Sequence, residues 1–435
     1  MKPLCVVSCP IDTFSGYGAR SRDLVKSLIQ LKEQEWDIKI MPQRWGDCPW
    51  NFLSNDNPLR QRFILNLTKK PDIWIQITVP NEFQPVGQYN IGISAGIETT
   101  VYPAPFIEGS NRMDLNLVSS EHSKQVALAS QFDQKDNNTQ QIVKQIKLQK
   151  PIEVLFEGLD LEKYYKNPNN SSMLNNITED FCFLYTGHWL PGNFGEDRKN
   201  VATLIKTFLE TFKGINKKKP ALILKSNKVN YSLLDREGVL RDINRIRDKF
   251  KGEKLPNIYL LHGELTDEEM NKLNNDPKVK SFISFTKGEG YGRPLAEAAI
   301  TGKPTIVSNW SGHRDFLFPD YNILIGGELK PVHQSTANEF LLKESQWFNI
   351  STDIASRAMK DVFKHYKKYL EKSRKNTQYL KDNFSFNKMT EKLNLLLPKI
   401  DASPQIQELK LPKLKKLGET KQELPELKLP KLKKI

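Results

Sequence analysis

Short apolar strands alternate with helical stretches twice along this chain, and a polar interruption separates the two series. LCVVSC, WDIKIMP, PDIWIQITV, YNIGISA, MDLNLVSS and IEVLFEG form the first series, with the helix ARSRDLVKSLIQL after its first strand. FCFLYTG, ALILKS, NIYLLHG, VKSFISF and PTIVS form the second, spaced by VATLIKTFLETF, a helix around 239–250 and DEEMNKLN. Alternation of this kind predicts parallel sheets covered by helices, because parallel neighbours need a crossover connection. KNPNNSSMLNNITED, rich in Asn and Ser, reads as the linker between the series. At 435 residues the chain exceeds one comfortable core. The fold class expected is α/β, with two doubly wound, Rossmann-like domains facing a cleft.

The stretch KGEGYGRPLAEAAITGKPTIVSNWSGHRDF, residues 287–316, says most about function. It follows a buried strand with a Gly-rich turn, a helix opening at Pro294, a second strand and another Gly turn. Glu289 falls in the loop at the carboxyl end of the strand, where ligands bind in open α/β sheets. Glu297 falls in the first turn of the helix, and helical side chains lean toward their own amino terminus, so it reaches back toward the same place. Gly290 and Gly292 permit close backbone approach, and Pro294 suits the start of a helix. The amides of Tyr291, Gly292, Arg293 and Leu295 then lie where a helix amino terminus favours phosphate.

This segment resembles the donor-site signature of family 4 retaining glycosyltransferases, roughly E-G-F/Y-G-x-P-x-x-E-A followed by G-x-P and a Gly-Gly turn; Gly302, Pro304 and Gly312 are in register. SGYGARSRDLV (15–25) is similar to the Gly loop after the first strand of these enzymes, MDLNLVSSEHSKQVAL (113–128) to their Ser-Glu-x-Ser-Lys element, and IEVLFEGLDLEKY (152–164) to their crossover into the linker. YTGHWLPGNFGEDRKNVATLIKTF (185–208) resembles the phosphate-contacting loop of the second domain. These matches occur in the family's order from residue 3 to about 397.

The resemblance implies the GT-B fold, with an acceptor-side domain over 1–160, a linker over 161–178 and a nucleotide-sugar domain over 179–372. A helix over 373–397 would cross back to the first domain, and a repeat-containing tail would follow over 398–435. It implies transfer of a hexosyl or pentosyl group from a UDP- or GDP-linked sugar to an acceptor hydroxyl, with retention and no metal; no DxD motif is present. Glu289 would hold the sugar hydroxyls and Glu297 the ribose, while Lys199, with Arg198, stabilises the departing diphosphate. Gly16 and Gly18, with Tyr17 or Arg20, would line the cleft, Lys225 would face the donor phosphate, and Glu98 would touch the acceptor. His122 reads as a helix cap. One departure stands out. The family's Gly-Arg pair is here Gly187-His188, and a neutral imidazole is a weaker phosphate partner than the guanidinium it replaces.

The acceptor is a surface glycan or lipid-linked sugar, a protein, or hydroxylated DNA bases; the sequence leaves these open. A non-catalytic sugar-nucleotide or glycan-binding module on the same fold is the rival that His188 and the tail suggest. A phosphorylase-like enzyme is another, and it would need a pyridoxal-phosphate lysine. The incomplete G-x-G of Gly16 and Gly18 argues against a nicotinamide enzyme.

The formal charge is +14, of which residues 405–435, with nine lysines against four glutamates, supply +5. Within that tail ELKLPKLKK occurs twice, at 408–416 and 426–434. It is too polar and too Pro-punctuated to build a core, and the repeats predict a bivalent docking segment for a protein partner or an anionic membrane surface. Cys5, Cys9, Cys48 and Cys182 are scattered without a C-x-x-C pair, and no apolar run approaches the roughly 18 residues that span a bilayer. The reading is a cytoplasmic protein, peripheral at a membrane through its tail.

Overall fold

The computed structural model describes residues 2–399 apart from 47, 137, 170 and 171. The repeat-bearing tail from residue 400 lies outside the described residues. The first lobe carries β1 (Leu4–Cys9), α1 (Gly16–Lys32), β2 (Asp37–Pro42), β3 (Ile73–Ile77), β4 (Tyr89–Ile93), α2 (Ala104–Ser110), β5 (Leu115–Val118), α3 (Glu121–Ala129), a hairpin of β6 (Gln131–Lys135) and β7 (Ile142–Lys147), and β8 (Ile152–Val154). Six of these strands form one parallel sheet in the order β2-β1-β3-β4-β5-β8. β1 and β3 are buried at every position, which is why LCVVSC and IWIQI are nearly continuous apolar runs.

The second lobe carries β9 (Cys182–Thr186), α4 (Val201–Phe212), β10 (Ala221–Lys225), α5 (Leu233–Arg247), β11 (Ile258–Leu261), α6 (Asp267–Asn275), β12 (Val279–Ser284), α7 (Arg293–Ala299), β13 (Thr305–Ser308), β14 (Ile323–Ile325), β15 (Gly327–Pro331), β16 (Gln346–Ile350) and α8 (Thr352–Lys364). Its parallel sheet runs β11-β10-β9-β12-β13-β14, and β15 pairs with β16 antiparallel beside it. The core joins Phe183, Phe208, Phe212, Leu224 and Ile283 from α4 and the sheet to Met359 and Val362 of α8. α6 begins at a capping box in which Thr266 and Glu269 each satisfy the other's backbone amide.

α9 (Tyr366–Asn383) and α10 (Phe386–Leu396) end the described chain. Residues 373–397 divide between them, because Phe384 leaves helical geometry and the Ser385 side chain accepts from the amide of Lys388 to start α10. α10 packs on the first lobe, where the Thr390 and Ser27 hydroxyls lie 2.8 Å apart. Two passages of the chain between lobes also meet. The Leu159 amide donates to Phe384 O at 2.8 Å, and the Phe386 amide donates to Leu159 O at 2.7 Å. Further along the interface the Thr100 amide donates to Gln346 O at 3.0 Å, and the Phe106 and Phe340 rings pack 5.3 Å apart.

Candidate functional site

The loop after β12 is fixed before its side chains do anything. The Glu289 amide donates to Ser311 Oγ at 2.8 Å, and the Gly312 amide donates to Glu289 O at 2.9 Å. Lys199 Nζ donates to the two Glu289 carboxylate oxygens at 2.6 and 2.9 Å, and Arg198 Nη1 donates at 3.1 Å. Arg198 Nη1 also donates to Gly288 O at 2.8 Å and lies 3.5 Å from the carboxylate of Glu98, across the cleft. Burial alone would raise the Glu289 carboxyl; Lys199 and Arg198 overcome it and hold it at about 2. The structure thus gathers buried Glu289 and half-buried Lys199, Arg198 and Glu98 into one cluster of two cations and two anions.

Two residues that the sequence reading passed over hold this cluster. Asp197 Oδ2 accepts the Asn200 amide at 2.8 Å and so shapes the loop that presents Arg198 and Lys199. Burial raises its carboxyl to about 6. Lys287 is fully buried, with Nζ 3.2 Å from Glu196 and 4.8 Å from the Trp347 ring centroid, while its amide donates to Arg198 O at 2.7 Å. Nothing local marks Lys287 as buried, since its partners lie about 60 to 90 positions away in the chain.

The glycines of this loop serve the lobe interface. A Cβ at Gly290 would sit 2.0 Å from Ala95 O, and one at Gly288 2.0 Å from Glu98 O, so the two lobes touch backbone to backbone here. Gly292 has φ +100°, a left-handed conformation that a side chain would strain. α7 then starts at Arg293, with Pro294 second, and the Leu295 amide is already bonded to Gly292 O at 2.9 Å. Tyr291 is buried, its ring 4.9 Å from Phe316 and its hydroxyl without a hydrogen-bond partner.

Glu297 belongs to a second cluster. Arg293 Nε donates to Glu297 Oε1 at 2.9 Å, and Arg293 Nη1 donates to Asp23 Oδ2 of α1 at 2.7 Å and lies 3.7 Å from Glu157. One guanidinium therefore ties α7 to the first lobe. Burial pushes Glu297 up to about 7 against the pull of Arg293, with Asp267 and Glu157 adding to the rise. Glu297 and Arg293 line a cavity of about 470 Å³ between the lobes, which Ser15, Gly16 and Lys26 also face.

The remaining expected residues take other places. Gly16 opens α1 at that cavity with free space beside it, whereas a Cβ at Gly18 would meet Thr13 O at 2.3 Å. Tyr17 stacks on Trp45 at 4.0 Å and accepts the Ala95 amide at 3.0 Å, and buried Arg20 donates to Leu155 O at 2.9 Å, so both serve the first lobe's interior. Lys225 Nζ donates to Gly263 O at 2.6 Å. His188 is exposed at the rim, and partial desolvation together with Lys199, Lys225 and Arg198 holds its imidazole below the usual histidine value. His122 caps nothing: Ser120 caps α3, and His122 sits edge-on to Trp310 of the other lobe at 4.9 Å, where burial pushes it down to about 4.

No family model matches the chain, and a search of curated proteins finds no match. Solved structures do resemble it. Sucrose-phosphate synthase from Thermosynechococcus elongatus superposes with a TM-score of 0.57 at 11% identity, over 91% of this chain and 98% of that one. A glycosyltransferase from Rickettsia africae gives 0.55 at 13% identity, over 91% and 97%. Anabaena HepE, solved with UDP and glucose, gives 0.54 at 11% identity, over 91% and 99%. At such identities the likeness is one of fold: two Rossmann-like lobes in the GT-B arrangement.

Proposed function

We propose that the protein is a retaining glycosyltransferase that moves a sugar from a nucleoside-diphosphate sugar to an acceptor hydroxyl. The observation that carries this reading is the Glu289–Lys199–Arg198 cluster, with Glu289 buried, beyond the carboxyl end of β12 and facing the other lobe. Two cations on one carboxylate are a ready partner for a diphosphate. On binding, its oxygens replace Glu289 as partners of Lys199 and Arg198 and stay there as charge builds on the leaving group. Glu289, released, accepts from the sugar hydroxyls and fixes the anomeric carbon.

Glu297, held near neutrality by burial, accepts from and donates to the ribose hydroxyls. Glu98, across the cleft and 3.5 Å from Arg198, orients the acceptor. With Glu289 engaged by the sugar hydroxyls, no carboxylate is left to act as a nucleophile, so the acceptor attacks from the leaving-group face rather than through a covalent intermediate on Glu289. Closure of the lobes excludes water that would hydrolyse the donor. We take a surface glycan or lipid-linked sugar as the acceptor class. The fold neighbours agree in kind, one being named a sucrose-phosphate synthase and another having been solved with UDP and glucose.

The test is release of nucleoside diphosphate from UDP- and GDP-sugars, with the anomeric configuration of any product read by NMR. Slow release with retained configuration, lost in Glu289→Ala and in Lys199→Ala, is the expected result. Binding of nucleotide sugars without turnover on any acceptor, or an inverted product, would overturn the reading.

A further inference from the structure

The cleft does not end at Glu297. Its cavity shares Phe52, Lys163 and Asp267 with a second one of about 700 Å³ that Phe14, Glu264 and Glu268 also line. Phe14 and Phe52 pack edge to face at 5.0 Å and remain 38% and 40% exposed. The Arg22 guanidinium lies 3.5 Å from the Phe52 centroid and is itself bonded to Ile11 O and Thr13 O, so the ring is held in place. Aromatic faces left open in a cleft favour a flat, conjugated ligand.

The polar groups beside those rings form an ordered pair. Lys163 Nζ donates to Asp267 Oδ2 at 2.5 Å, and the Tyr164 hydroxyl donates to Asp267 Oδ1 at 3.0 Å, which sets the carboxylate at the first position of α6. The wall thus offers an ammonium donor next to a carboxylate acceptor. Glu264 and Glu268 extend the acceptor side further along the wall.

The inference rests on the donor reading. With the diphosphate at Lys199 and Arg198 and the ribose at Glu297, the base enters the cavity beyond Glu297. Guanine carries the acceptor O6 beside two donors, N1–H and N2–H₂, on one edge, which matches an ammonium beside a carboxylate at all three positions. Uracil carries a single N–H between two carbonyls, so a carboxylate accepting that proton faces a carbonyl with its other oxygen. Adenine offers one amino group beside one acceptor nitrogen and fills two of the three positions. We infer that Lys163 and Asp267 read the base of the donor and that the donor is a GDP-linked sugar.

Calorimetric titration of the full chain with GDP, UDP and ADP tests this. GDP is expected to bind roughly tenfold more tightly than UDP, the scale of one well-formed bidentate base contact. Asp267→Asn, which puts an amide donor where an acceptor is needed, should weaken GDP by roughly the same factor and leave UDP unchanged. UDP binding as tightly as GDP would overturn the guanine assignment while leaving the donor reading intact. Equal losses for both nucleotides in Asp267→Asn would remove Asp267 from base reading. Absence of binding by all three diphosphates would overturn the donor reading, and this inference with it. The GDP-to-UDP ratio of the unaltered protein decides even if the variant folds poorly.

Discussion

Replacing Glu289 with glutamine removes the charge of this side chain and keeps its shape. Burial would raise its carboxyl above 4.5, yet Lys199 and Arg198 hold it at about 2. That difference corresponds to about 3 kcal/mol of stabilisation at neutral pH. Because the folded value lies below the unfolded one, the contribution is complete above about pH 4.5 and fades as the pH falls toward 2. Urea denaturation of the parent and of Glu289→Gln, side by side, reads it directly. At pH 7 the variant should be less stable by about 3 kcal/mol, in the range seen when one member of a buried ion pair is removed. At pH 3 the gap should shrink to about 1 kcal/mol, since the unfolded parent has by then taken up the proton. A gap that stays constant between these pH values, or one below about 0.5 kcal/mol at pH 7, typical of an ordinary surface change, would refute the charge argument.

Glu297→Gln should act in the opposite sense. Burial raises the folded carboxyl to about 7, so the fold binds this proton more tightly than the unfolded chain, and the stability it provides is lost as the pH rises from about 4.5 through 7. The variant should melt higher than the parent at pH 8, by about 3 kcal/mol of stability, and show almost no gain at about pH 4. Gly290→Ala places a methyl 2.0 Å from Ala95 O. It should cost about 1–3 kcal/mol and force the lobes apart, visible as a larger radius of gyration by small-angle scattering; an unchanged radius and melting temperature would mean that the backbone contact yields without effect.

The sheets were legible because buried parallel strands leave long apolar runs, and LCVVSC, PDIWIQITV, ALILKS and PTIVS all fall on sheet strands. The β6–β7 hairpin was not, because both faces of β6 meet water in part and no alternation survives in QFDQK. β15 is exposed along its length and pairs across a long loop, which leaves no local pattern either. In the candidate site, the placement of Glu289 after a strand and of Glu297 on the following helix was readable from spacing, but their separation into two clusters, one with Lys199 and Arg198 and one with Arg293, was not. Asp23, Glu157 and Lys287 were not readable, since each acquires its role from a partner brought in by the tertiary fold, and Asp197 was passed over although the Asn200 amide it accepts lies only three residues on. Arg293 shows the difference most plainly: its sequence neighbours suggest a ligand contact, while two of its three carboxylate partners come from the first lobe.

The meeting of Leu159 with Ser385 puts both covalent bridges between the lobes at one waist. A single tether would let one half swing freely, and two separated ones would lock it. Adjacent tethers joined by hydrogen bonds act as a pivot. Sliding one half past the other would break both bonds at once, whereas twisting or bending about Leu159 preserves them. Any opening of the lobes that keeps both bonds must therefore be a rotation about this point, and the contacts that it would part are those further out, such as Thr100 with Gln346 and Arg198 with Glu98.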